Sequence, residues 1–115
     1  MKIVYIMTNP AFDGYIKIGH TNNLIKRLKD LDKTNIPLPF RCVYAVRVER
    51  AEQVEKHLHD AFADFRVRPK REFFEIAPQR AIAALGIAGG EDVTPHRDIA
   101  DDEEGVEAFN RATLR

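Results

Sequence analysis

Over the first 85 residues, apolar positions recur at strand and helix periods, and turn residues separate the runs. Lys2–Met7 (KIVYIM) is β-branched and aromatic and predicts a strand; Tyr15–Gly19 (YIKIG) predicts a second. The segment between them, TNPAFDG at 8–14, carries Asn-Pro and Asp-Gly turn signals. So short a connection favours an antiparallel hairpin over a crossover. Thr21 is placed to cap a helix over residues 22–32, in which Leu24, Leu28 and Leu31 make an apolar stripe. Pro37 and Pro39 break the chain before a third strand, Arg41–Glu49. A second amphipathic helix fits residues 51–64 and would bury Val54, Leu58, Ala61 and Phe62. Glu72–Ile76 reads either as a short strand or as the lead into a third helix over Pro78–Leu85, whose first turn suits Pro78.

These elements predict a small α/β or α+β domain over residues 1–87, with a central antiparallel sheet of about three strands flanked by helices. GIAGG at 86–90 then predicts a hinge. Residues 88–115 are expected to form a flexible acidic tail, too poor in large apolar groups for a core, with a short terminal helix near 106–114.

Composition alters this picture in one respect. The chain has 115 residues, 18 basic and 18 acidic, and its zero net charge gives no hint of a polyanionic partner. Location changes that. Residues 1–80 hold 15 Lys and Arg against 10 Asp and Glu, a net of +5, whereas residues 81–115 hold 3 against 8, a net of −5. A basic body with an acidic tail suggests nucleic acid as partner. No apolar run approaches the ~18 residues of a membrane span, and the N-terminus is too short-cored for a signal peptide, so a cytoplasmic, non-membrane protein is expected. A single cysteine, Cys42, excludes an intramolecular disulfide and a cysteine-based zinc cluster.

Several polar residues stand where they need a reason. Alternation puts Val4, Ile6, Ile16 and Ile18 on one sheet face, ready to receive the helices, and Tyr5, Tyr15 and Lys17 on the other. Lys17 interrupts an apolar strand and calls for either an anion or solvent. The helix start after Gly19 would direct backbone N–H groups toward the region of Lys17, as an anion site requires. Arg27 runs along the edge of the leucine stripe, so its charge must be paired or aimed into a cleft. His57 and His59, two apart on a helix, point about 200° apart and cannot share a metal ion. Glu55 and His59 do share a face, and a surface hydrogen-bonded pair is the plainer reading. Glu72 follows the basic run RVRPKR at 66–71. It is either an ion-pair partner or a ligand for Mg2+, which commonly takes one or two carboxylates together with phosphate oxygens.

Val4-Tyr5-Ile6, Lys17-Ile18-Gly19, Arg27 and Glu72 in REFFE, taken in order, resemble the GIY-YIG nuclease family over residues 2–85. KIGHTNNLIKRLKDL is similar to its phage and bacterial branch, in which lysine replaces the second motif's tyrosine. The resemblance implies a metal-dependent DNA endonuclease that hydrolyses phosphodiester bonds. In it Tyr5 activates water as base or relay, Lys17 and Arg27 stabilise the phosphate, and His20 contacts phosphate or shares a proton. Glu72 holds one divalent cation, Mg2+ or Mn2+. Lys26, Arg66, Arg68, Lys70 and Arg71 are the candidate nucleic-acid contacts. The family's downstream asparagine has only Gln79 as a counterpart. RNA as substrate, a homodimer and a separate targeting partner stay open, as do a non-catalytic nucleic-acid-binding module and a protein-interaction domain.

Overall fold

A computed structural model describes residues 1–32, 36–67 and 72–95. It is an α+β domain: a five-stranded antiparallel sheet with three helices. In chain order these are β1 (Lys2–Thr8), β2 (Ile16–Thr21), α1 (Leu24–Leu31), β3 (Arg41–Val48), α2 (Ala51–Ala61), β4 (Phe73–Phe74), α3 (Pro78–Gly86) and β5 (Glu91–Asp92). Single 3-10 turns stand at Pro10–Phe12 and Ala63–Phe65. The sheet order is β4-β2-β1-β3-β5, so the most apolar strand, β1, lies at the centre. The predicted hairpin forms with Tyr5 opposite Gly19 and Ile6 opposite Ile18. A bulge in β3 between the partners of Ile6 and Met7 leaves Val43 unpaired, and both Val43 and Tyr44 pack against the core beneath α2 and α3.

The alternation of β1 and β2 sorts side chains as expected, but the helices divide between the two faces. Val4, Ile6, Ile16 and Ile18 meet Leu58 and Phe62 from the α2 segment and Ala81 and Leu85 of α3. Leu24 and Leu28 of α1 cover the opposite face, where they pack with Ile3, Tyr5, Met7, Phe40 and Ala45. The face carrying Tyr5 is therefore a second core. Each buried Leu or Ile contributes roughly 1.5–3 kcal/mol of transfer free energy, so either layer is a substantial share of stability.

Other expectations shift. Thr21 is still in β2, paired with Ile3, and its hydroxyl bonds the Asn23 backbone. The α1 cap is Asn23, whose side-chain oxygen accepts from the Lys26 amide at 3.1 Å. The helix N-terminus thus opens four residues beyond Gly19. In α2, Ala51, Glu55 and Leu58 take the buried positions, and Ala61 is exposed. Glu91 and Asp92, expected within a flexible tail, form an edge strand on Arg47 and Val46. The docking continues through the Val93 amide to Ala45 O at 2.9 Å and the Ala45 amide to Thr94 Oγ1 at 2.9 Å. Gly90 permits this approach: its φ is +88°, and a Cβ there would sit 2.5 Å from Arg47 O. The rest of the tail, with the expected terminal helix, lies outside the described residues.

Candidate functional site

Tyr5 sits at the middle of β1 with only 1% of its surface exposed. Its two cross-strand neighbours are the small residues Gly19 and Ala45. The ring occupies the space a side chain at Gly19 would need: a Cβ there would lie 2.4 Å from the Tyr5 hydroxyl and 2.6 Å from Cζ. The glycine of KIG is thus required sterically, since its φ is not positive. Above the ring, α1 is held down by Leu24 and Leu28, and Arg27 between them donates from Nε to the Tyr5 hydroxyl at 3.2 Å. Burial pushes the Tyr5 phenol above its ordinary value and outweighs the opposing pull of Arg27. The same hydrogen bond holds the Arg27 guanidinium above its usual value, so it stays charged.

Lys17 is two residues before Gly19 on the same face and is only 8% exposed. Its Nζ lies 2.9 Å from Glu72 Oε2 and 5.0 Å from the centre of the Phe73 ring. Glu72 is fixed by β4: its carbonyl accepts from the Ile18 amide at 3.1 Å, and the next two residues pair with Lys17 and Ile16. The Lys17–Glu72 contact falls outside hydrogen-bonding angles, so the buried Glu72 Oε2 has a charge partner but no directed donor. Glu72 also acts electrostatically on both Tyr5 and Arg27, raising the pKa of each. Strands β1 and β2, helix α1 and the approach to β4 therefore bring Tyr5, Lys17, Arg27 and Glu72 into one cluster.

His20 does not join them. Paired with Val4 and sharing the face of Ile18, it projects away from the cluster, where its Nδ1 pairs with Glu55 Oε2. Its Nε2 is 4.0 Å from Glu52 Oε1. A phosphate contact shared with Lys17 would have to reach across the sheet. Glu55, expected on the surface with His59, is instead 8% exposed. His59 Nε2 lies 3.0 Å from Ile18 O and 3.4 Å from Glu55 Oε1, two acceptors, so that nitrogen carries the hydrogen. The His59 ring packs 5.0 Å from Phe74. His57 is exposed and takes no part.

Among the proposed nucleic-acid contacts, Lys26 is exposed on α1 and pairs with Asp30 at 3.2 Å. Arg66 places its guanidinium 5.7 Å from the Phe74 ring. Arg68, Lys70 and Arg71 lie outside the described residues. Gln79 is exposed in the first turn of α3. Sequence reasoning missed Asn9, a buried residue whose Nδ2 donates to Leu38 O at 2.7 Å and whose Oδ1 accepts from the Ala11 amide at 2.9 Å. The Asn-Pro turn signal marked its position without revealing its reach.

Among the described residues no group of three or more His, Cys, Asp or Glu could hold a metal ion, and no helix is long and apolar enough to cross a membrane. A hard cation that takes most of its oxygens from water and substrate needs less. The undirected Oε2 of Glu72 is a suitable single ligand, provided Lys17 moves aside.

The fold is that of a small α+β domain, and the four residues cluster on one face of its sheet. The chain belongs to the T5orf172 domain family, whose pattern matches residues 2–88, a domain found in phage and bacterial nuclease-like proteins. No curated protein and no solved structure matches the chain.

Proposed function

We propose that the protein is a metal-dependent DNA endonuclease of the GIY-YIG type. The observation that carries this reading is the convergence of Tyr5, Lys17, Arg27 and Glu72, which lie far apart in sequence, on one face of the sheet. Lys17 and Arg27 supply two positive charges in a poorly solvated site, where they neutralise a scissile phosphate more effectively than in water. Tyr5 keeps its proton at neutral pH, and Arg27 donates to its oxygen, which leaves the phenol's own hydrogen available to a second partner. A relay, in which the phenol passes on one proton as it receives another, suits this geometry better than a standing phenolate base. Glu72 would hold the divalent cation, which supplies Lewis-acid stabilisation of the leaving oxygen.

Incubation with Mg2+ or Mn2+ and supercoiled, branched or single-stranded DNA is expected to give cleavage that EDTA and Glu72→Ala abolish. No cleavage of any substrate by the wild type, or unchanged cleavage by Glu72→Ala, overturns the reading. The raised Tyr5 phenol favours one alternative, a non-catalytic nucleic-acid-binding module with the same fold. Its signature is salt-sensitive binding indifferent to EDTA and to Glu72→Ala.

A further inference from the structure

Next to the Lys17–Glu72 pair the surface becomes aromatic. Phe12, Phe40 and Phe73 form a trio with ring centres 6.2 to 6.5 Å apart, and Phe12 meets Phe73 edge-on at 72°. Phe40 is only 3% exposed and Phe73 is half-buried beneath Lys17. Phe12, at the end of the 3-10 turn Pro10–Phe12, leaves 39% of its surface open.

The turn that presents Phe12 is anchored. Asn9 caps it through the Ala11 amide and ties it to the neighbouring loop through Leu38 O, and the Phe12 amide closes the turn on Asn9 O at 2.9 Å. The exposed ring is therefore held in place before any ligand arrives, which lowers the ordering cost of binding.

The neighbouring cation narrows the choice of ligand. From Lys17 Nζ it is 5.0 Å to the centre of Phe73 and a further 6.2 Å to the centre of Phe12. A strand advances about 3.4 Å per nucleotide when stacked, so a base over Phe12 belongs within about three nucleotides of a phosphate at Lys17. Bases inside a duplex have both faces covered; only an unpaired or extruded base can offer one to an aromatic ring. We infer that Phe12 is a stacking platform for an unpaired nucleobase, so that the substrate is single-stranded or locally melted nucleic acid. The inference rests on the nuclease reading of the adjacent phosphate site.

The test uses the full chain in EDTA, so that binding is read without cleavage. Labelled oligothymidylate and an abasic oligomer of equal length are titrated by fluorescence anisotropy. Phe12→Ala is expected to weaken oligothymidylate binding about tenfold and to leave the abasic oligomer unaffected. Phe12→Leu, which keeps apolar cover over Phe40 and Phe73 but has no π face, should behave like Phe12→Ala; Phe12→Trp should restore affinity. Because the chain contains no tryptophan, the indole introduced by Phe12→Trp is a unique reporter, quenched by the base-bearing strand and not by the abasic one. Equal affinity of wild type and Phe12→Ala for oligothymidylate, an equal loss on both oligomers, or an unquenched indole at saturation overturns the inference. Cleavage that survives Glu72→Ala overturns the metal-dependent reading of the adjacent site instead and leaves this binding test intact.

Discussion

Replacing Gly19 by alanine separates a glycine required by packing from one that merely occupies a strand. Taken alone, the change should stabilise, because glycine in a strand is worse than alanine by roughly 0.5–1 kcal/mol and Gly19 has no positive φ to defend. Here the new methyl would lie 2.4 Å from the Tyr5 hydroxyl and 2.6 Å from Cζ. The ring cannot yield easily, being 1% exposed and enclosed by Ile3, Met7, Leu24, Leu28, Phe40 and Ala45. Overpacking of this kind costs about 1–3 kcal/mol. A ring that swings away also gives up its hydrogen bond from Arg27, about 1.5 kcal/mol. Set against the intrinsic gain, the net is a loss of about 1.5–4 kcal/mol, or at least roughly 6 °C in Tm for a domain of this size. Urea denaturation should show a lower midpoint with an unchanged slope. Adding Tyr5→Phe removes the closest atom but not Cζ, so the double variant should recover only part of the loss, with a coupling of at least about 0.5 kcal/mol. Gly19→Ala as stable as wild type, or more stable, would refute the packing argument.

Two further predictions concern groups outside the cluster. Burial pushes the Cys42 thiol from 9.0 up to about 12, so labelling by a thiol reagent at pH 8 should be at least about a hundredfold slower than for free cysteine. The sign for stability follows from proton counts: above pH 9 the unfolded chain has released the thiol proton and the native state has not. Stability is then fully present below about pH 9 and declines toward pH 12, by up to about 4 kcal/mol from this residue. The raised Tyr5 phenol adds in the same direction, and Cys42→Ala should flatten the decline measured by denaturation across that window. Gly90→Ala places its methyl 2.5 Å from Arg47 O and should undock residues 91–94. The cost is capped at the docking free energy of that edge, about 1–2 kcal/mol, and hydrogen exchange should quicken at the Ala45 and Val93 amides while β1 and β2 stay protected. Uniform acceleration across the sheet would contradict a local effect.

Periodicity made the elements legible because each of the first three strands and three helices buries a continuous apolar face. It could not say which face a helix covers. Leu24 and Leu28 are equally suited to either side of the sheet, and only tertiary packing places α1 over Tyr5. Of the two short edge strands, Phe73–Phe74 falls within Glu72–Ile76, where the pattern left a strand and a helix lead equally open, and pairing with β2 decides for the strand. Glu91–Asp92 escaped altogether, because it is defined by hydrogen bonds to a neighbour and carries no apolar pattern. The position of His20 was readable: it shares parity with Ile16 and Ile18, and strand alternation alone puts it opposite Lys17. Glu55 was not, because its burial depends on two histidines, one of them thirty-five residues away.

The resting arrangement of the cluster also determines how its chemistry has to be tested. Lys17 is only 8% exposed, and Glu72 is its charge partner at 2.9 Å. With Arg27 counted, the cluster carries two cations and one anion, an excess of one positive charge that favours an arriving phosphate. On the proposed reading, phosphate competes with Glu72 for Lys17, and the carboxylate oxygen that now lacks a directed donor is released as a ligand. Glu72→Ala therefore removes the proposed ligand and at the same time strands a buried lysine, so lost cleavage could reflect either change. Glu72→Gln retains the shape and one carbonyl oxygen while removing the charge, and it strands Lys17 just as Glu72→Ala does. Lys17→Met separates the two effects: it deletes the cation, leaves the carboxylate, and spares the fold the cost of an unpaired buried ammonium. Cleavage lost in both Glu72→Gln and Lys17→Met, with both variants folded, assigns the defect to the site's chemistry rather than to its stability.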